Sequence, residues 1–187
     1  MTGLQSELPK ELNAPTAIDH HSADAVHGAA GKMQFVSFAI GDDQYGVDIM
    51  SVREIRGWSE VTCLPRQPDY MRGVVNLRGI IVPIIDLRCR LGQGLTEATA
   101  MHIVIIVQIG ERHVGLLADR VLDIVSINTA DLQPVPNIGQ DGEAAFLSGL
   151  ASIEAGMIAL VDLPNLLSAE DVPADYNNAV IQPSRQS

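Results

Sequence analysis

Two cysteines, five histidines and twenty-three acidic side chains are the groups through which this 187-residue chain could do covalent, metal or acid–base chemistry. Cys63 and Cys89 stand 26 positions apart with no second pair. That spacing suits neither a disulfide framework nor a zinc knuckle, and it fits a reducing intracellular compartment. His102 and His113 each border an apolar run, from which either cysteine could in principle complete a metal site. A histidine at a strand end is more often a hydrogen-bonded surface residue than a ligand. Asp42, Asp43 and Asp48 form a candidate carboxylate group, but the first two fall in a Gly-Asp-Asp-Gln turn, where Asp is favoured for backbone reasons. The chain carries no phosphate-binding loop, no dinucleotide glycine fingerprint, no HExxH and no GxSxG. The expectation is a protein that is not an enzyme, with no catalytic residue, metal or cofactor assigned.

Charge is the more informative chemistry. The net charge of -11 disfavours nucleic acid and anionic membranes as partners. Residues 53–90 nevertheless hold seven arginines against four acids, whereas residues 91–187 hold three arginines against twelve acids. Every basic group from Met33 onward is an arginine, whose planar fork suits fixed carboxylate partners. The densest segment is Gly73–Leu87, read as two apolar strands joined at Asn76-Leu77-Arg78-Gly79, with Arg78 projecting from the turn. Pro83 removes a ladder donor and predicts an edge or a bulge there. Glu54, at the end of a short helical piece predicted over Met50–Ile55, is the natural local partner for Arg78. An exposed pair of this kind stabilises a fold by only about 0–1 kcal/mol, so its value lies in specificity at an interface.

The elements that must position these side chains are strands. Apolar runs are short, rich in Val and Ile, and punctuated by Gly and Asp. Gln34–Ile40 turns through Gly41–Gln44 into Tyr45–Ile49, and Ile103–Ile109 turns through Gly110–His113 into Val114–Ala118. Short helices are also predicted at Leu87–Leu91 and Pro164–Leu167. Gly41, Gly46, Val52, Glu54 and Ile55 recur as Gly110, Gly115, Val121, Asp123 and Ile124 at a constant offset of 69. Gly73, Asp86 and Leu87 recur as Gly149, Asp162 and Leu163 at an offset of 76. Two similar halves, 33–100 and 101–168, follow, each with enough strands for a closed barrel of about five. Residues 1–32 and 169–187 lack periodicity and read as flexible tails. No run reaches the roughly 20 apolar residues of a membrane span, and the N-terminus lacks a signal-peptide core.

Four separated motifs, Ile40-Gly-Asp-Asp-Gln-Tyr-Gly-Val-Asp-Ile49, Val52-Arg-Glu-Ile-Arg-Gly57, Asn76-Leu-Arg-Gly79 and Pro83-Ile-Ile-Asp-Leu-Arg88, occur in one order. Together they closely resemble the CheW family of chemotaxis coupling proteins. The resemblance spans about 33–168 and continues through Val114-Gly-Leu-Leu-Ala-Asp119 and Asp162-Leu163. It implies an all-β fold of two intertwined five-stranded β-barrels with short helices. It also implies a cytoplasmic adaptor that couples methyl-accepting chemoreceptors to the regulatory domain of the histidine kinase CheA, at the inner face of the membrane but without insertion into it. Carried over by motif, the receptor-facing groove would involve Val52, Glu54, Gly73, Arg78, Ile103 and Ile124, and the kinase-facing surface Ile49, Gly57 and Gly79. Two alternatives remain open at this level: a small-ligand-binding or enzymatic β-barrel using Cys63, His102 or His113, and a coupling protein of a related motility or biofilm pathway.

Overall fold

The alternating apolar run Lys32–Ile40 forms strand β1, and Gly41 turns it into β2 (Asp43–Asp48). Gly41 takes φ +60, a left-handed conformation that glycine adopts at least cost. The second half repeats this local solution, with Gly110 also at φ +60 between β6 (Ile103–Ile109) and β7 (Arg112–Ala118). These elements belong to the computed structural model of the chain, which describes residues 31–136 and 144–167. Most of both expected tails lies outside the described residues.

The helical piece expected over Met50–Ile55 is not a helix. Only Ile49–Ser51 forms a single 3-10 turn, and Val52–Gly57 is strand β3. The reason is tertiary, because Glu54–Gly57 pair with Ile106–Ile103 of β6, and that ladder outweighs any local helical preference. The other two short helices form as α1 (Leu87–Arg90) and α2 (Leu163–Leu166). Asp86 and Asp162 cap them by accepting the backbone N–H groups of Cys89 and Asn165, so the repeated Asp-Leu pair is a helix start written twice. The remaining strands are β4 (Met71–Leu77), β5 (Ile80–Asp86), β8 (Arg120–Asn128), β9 (Leu147–Ile153) and β10 (Gly156–Val161).

The strands assemble into two five-stranded sheets ordered β8-β1-β2-β10-β9 and β3-β6-β7-β5-β4. Each sheet takes the hairpin of one half and the last three strands of the other, so the halves exchange strands. The mainly β class expected from sequence is the class observed. The ladders leave each sheet open between its outer strands, and in each a single bridge ties the connecting segment to the last of them: Thr62 to Val74 on β4 and Gln133 to Leu150 on β9. Gly73 and Gly149 sit beside those bridges. A Cβ on Gly73 would come closer than 3.0 Å to the Thr62 carbonyl, and one on Gly149 would lie 3.2 Å from the Gln133 carbonyl. Close approach of a crossing backbone explains why both repeats keep glycine there. Pro83 does not mark an edge, since β5 lies between β7 and β4. It pairs with Val74, and the parallel ladder to β7 starts one residue later at Ile84, where an N–H is again available.

Successive residues of a strand face opposite ways, and here both faces are covered. Phe38, Ile40 and Val47 meet Ile85, Ile105 and Leu116 in one core shared by the two sheets. Phe35, Ile158 and Leu160 form a smaller core on the first sheet, and Ile84, Val104 and Ile106 form one on the second. Gly73→Ala should cost roughly 3–5 kcal/mol, because it adds a steric collision to a φ of +134. Gly79→Ala, at φ +92 with nothing within 4 Å, should cost only about 1–2 kcal/mol. Equilibrium unfolding in urea compares the two, and equal costs would show that the bridge does not crowd Gly73.

Candidate functional site

The β4–β5 turn consists of Arg78 and Gly79 alone, between the paired residues Leu77 and Ile80. Both turn residues have positive φ, +53 and +92, as a tight primed hairpin turn requires. Glycine bears this without strain, whereas an arginine at such φ costs about 1 kcal/mol. The Asn76 side chain stiffens the turn by accepting the Gly79 N–H at 2.7 Å. Arg78 itself contributes little to the fold, being 90% exposed and 3.8 Å from the Glu54 carboxylate. Arg78 is thus a strained, exposed and loosely paired arginine on a rigid turn.

Beneath the turn lies a cleft of about 370 Å³ lined by Arg53, Glu54, Arg56, Asn76, Arg78 and His113, with Ile80 and Ile106 among its apolar walls. Strict alternation would place Arg53 on the opposite face from Glu54 and Arg56. A β-bulge between Val52 and Glu54 makes Arg53 the extra residue, so that it lines the cleft with Glu54 and Arg56 while donating to Gln108 Oε1 at 2.7 Å.

A second polar assembly holds the sheets in place. Asp119, between β7 and β8, accepts the Gly41 N–H at 2.7 Å and the Arg88 guanidinium at 2.6 Å through Oδ2. Its Oδ1 lies 3.7 Å from His102 Nε2 and has no hydrogen-bond partner. One carboxylate thus ties together the β1–β2 turn, α1, the β7–β8 connection and the entry to β6. Burial opposes its charged form, but the Gly41 N–H and the Arg88 guanidinium outweigh that and hold the carboxyl below the usual carboxylate range, with His102 adding a smaller attraction.

Of the residues expected at the receptor-facing groove, Glu54 and Arg78 share the cleft. Val52 and Ile103 are half-buried on the adjoining strands β3 and β6 and pack against the shared core. Gly73 is buried. Ile124 lies on β8 of the other sheet, 54% exposed. Among the residues expected to face the kinase, Ile49 packs on the shared core from the 3-10 turn, while Gly57 and Gly79 are exposed at a strand end and a turn. Gly57 pairs with Ile103, so these two expectations meet across one ladder. The sequence reading missed Arg53, Arg56 and Asp119. The i, i+2 spacing of Glu54 and Arg56 was a usable signal, but nothing in the sequence announces the bulge or the partners of Asp119. Cys63 is exposed and Cys89 half-buried, and among the described residues no three His, Cys, Asp or Glu side chains group to hold a metal.

A family model described as a CheW-like domain matches residues 34–171. The chain belongs to the CheW-like family. It is 43% identical over 147 residues to a chemotaxis protein CheW of Rhizobium meliloti, covering 79% of this chain and 95% of that one. It is 39% identical over 139 residues to the CheW of Klebsiella aerogenes, with 74% and 84% covered. The crystal structure of the scaffolding protein TtCheW from Thermoanaerobacter tengcongensis superposes with a TM-score of 0.68 at 29% identity, covering 84% of this chain and 96% of that one.

In this CheW-like chain the cleft also occurs twice. β8 carries the bulge that β3 carries, and Ser37 Oγ holds it by bonding the backbone N–H and C=O of Asp123. Together with the β9–β10 turn it lines a second cleft of about 940 Å³, whose charged side chains are Asp123, Asp131 and Glu154. The two clefts thus differ in charge in the same sense as the two stretches of sequence, one rich in arginine and one acidic.

Arg78→Gly should stay within about 1 kcal/mol of the parent, because relief of strain opposes the added unfolded-state entropy and the exposed ion pair is worth little. A loss well beyond that in a thermal or urea melt would make Arg78 a structural residue. Asp119→Asn should cost about 1–3 kcal/mol at neutral pH, by weakening the Arg88 and Gly41 contacts. A lowered native pKa contributes stability above the unfolded-state value, and that contribution is lost as pH falls through the native value. The gap between parent and variant should therefore narrow on acidification below about pH 4, and a gap constant with pH would remove Asp119 from that role.

Proposed function

We propose that this CheW-family chain is a chemotaxis adaptor that couples methyl-accepting chemoreceptors to the histidine kinase CheA in a ternary array. The observation that carries the reading is Arg78, which the chain keeps at a strained φ, almost fully exposed, over a cleft of its own charged side chains. A fold selected only for stability would place glycine there. The chain acts by binding and not by catalysis, in the cytoplasm, and reaches the inner face of the membrane through receptors. No helix among the described residues is long and apolar enough to cross a membrane.

In this reading Glu54 and Arg78 contact the receptor tip, with Val52, Ile103 and Ile124 supplying apolar contact. Gly73 serves that surface through its backbone, by letting the Thr62 bridge approach β4. Ile49, Gly57 and Gly79 lie toward the kinase's regulatory domain. The adaptor need only favour one kinase arrangement over another. A differential affinity of about 1–3 kcal/mol changes output several-fold to about a hundredfold. Because each adaptor engages two partners in a lattice, modest interfaces gain strength from avidity.

Arg78→Glu should lose recruitment to vesicles carrying a chemoreceptor and CheA in a co-sedimentation assay, while its melting temperature stays close to that of the parent. Normal recruitment of the variant, or no recruitment of the parent, would sink the coupling reading at this site.

A further inference from the structure

We propose that the cleft beside Arg78 receives a short acidic segment of a partner protein, and that Arg53 and Arg56 join Arg78 in selecting its carboxylates. This rests on reading that cleft as a protein-docking surface, and it names the chemistry of the occupant. The cleft sets three arginines against the single carboxylate of Glu54, in a chain whose net charge is -11.

Within the fold these three charges meet one carboxylate, Glu54, in a single exposed pair with Arg78. Arg53 donates to the neutral side chain of Gln108. Arg56 has no hydrogen-bond or ion-pair partner among the described residues. Arg78 stands 3.8 Å from Glu54 and points into solvent. Nor does the fold require cations at this place. The equivalent cleft of the other sheet, formed by the same bulged strand and hairpin turn, has Asp123 where this one has Glu54, and no arginine or lysine in its lining. One scaffold therefore carries either sign, and the arginines of the first cleft answer to an occupant.

A carboxylate-bearing protein segment fits better than a polyanion. Arginine forks pair bidentately with carboxylates, and the exposed Ile80 beside them offers an apolar contact for a neighbouring side chain. A long phosphate backbone would also run against the acidic second cleft and the negative net charge. A short segment avoids both.

The test titrates short amphipathic Glu–Leu and Lys–Leu peptides and a single-stranded oligonucleotide into the full chain by calorimetry. The Glu–Leu peptide should bind, weaken with added salt, and lose about tenfold or more in affinity for the R53E/R56E double variant. If that variant melts early, R53Q/R56Q, which keeps part of each side-chain stem, takes its place with the same expectation. The proposal is overturned if the Glu–Leu peptide fails to bind, if it binds both proteins alike, or if the Lys–Leu peptide or the oligonucleotide binds at least as tightly in a manner the same substitutions abolish. Co-sedimentation separates this from the coupling reading. Receptor recruitment retained in R53E/R56E but lost in R78E would overturn the role of Arg53 and Arg56 and leave the adaptor in place. Failure of the parent to be recruited would strike the adaptor reading, and the peptide titration would still decide this one.

Discussion

Strand pairing between the two halves holds this molecule together, in the antiparallel ladders β1–β8 and β3–β6 and in two shorter parallel joints, β2 on β10 and β5 on β7. Each parallel joint links a hairpin from one half of the chain to the last strand of the other half. Parallel neighbours cannot be linked by a tight turn, so each joint demands a long excursion of the chain, and the two excursions are what interlock the halves. Packing at the joints is tight. A Cβ on Gly46 would lie 2.9 Å from Ile158 Cδ1, and one on Gly115 would come closer than 3.0 Å to Ile84 Cδ1. Glycine on β2 and β7 lets the side chains of the exchanged strands lie flat across them and fill the sheet's own core.

From this exchange follows the placement of the functional surface. β3 can line a cleft with the β4–β5 turn only because β6 and β7 of the other half stand between β3 and β5 in the same sheet. Ile106 and His113, at the floor and wall of that cleft, come from those inserted strands. The Asp119 cluster stiffens the arrangement where the chain passes from one sheet to the other, and the fully buried Asp86 does the same for the segment after α1. Asp86 accepts the backbone N–H and hydroxyl of Thr96 at 2.8 and 2.7 Å and pairs with Arg72 at 3.2 Å. Removing one member of a buried pair leaves a desolvated charge, so such clusters resist local opening. A scaffold built this way can present an exposed arginine at a defined place, which a flexible loop could not.

Much of the secondary structure was legible because its causes are local. The hairpin turns at Gly41 and Gly110 need a left-handed residue and have one. The Asp-Leu pairs at 86–87 and 162–163 are helix starts whose cap lies within three residues. The constant offsets fall on corresponding elements of the two sheets, the turns at Gly41 and Gly110 and the helix starts at Asp86 and Asp162. What failed was the region from Met50 to Ile55, too short to show a period of its own and settled by pairing with β6. Of the edge or bulge expected at Pro83, the edge is not found, because β5 is an inner strand, and the bulge of its ladder falls on β4 between Met71 and Gly73. A missing N–H is harmless wherever a neighbouring ladder has not yet begun, and sequence does not say where a ladder begins.

The sequence alone determined that the chain is mainly β, that it is built from two related halves, that Arg78 rides on a tight turn with Glu54 near it, and that charge is unevenly shared between the halves. Each of these depends on residues close together in the chain, or on a count of residue types. Only the tertiary structure decided that the halves trade strands, that Arg53, at a bulge, lines one cleft with Glu54 and Arg56, that Ile124 lies on the opposite sheet from the Arg78 cleft, and that Asp119 joins four elements. Those features depend on register and on contacts between distant segments. A one-residue shift in pairing reverses which face a side chain occupies, and no local pattern records that shift.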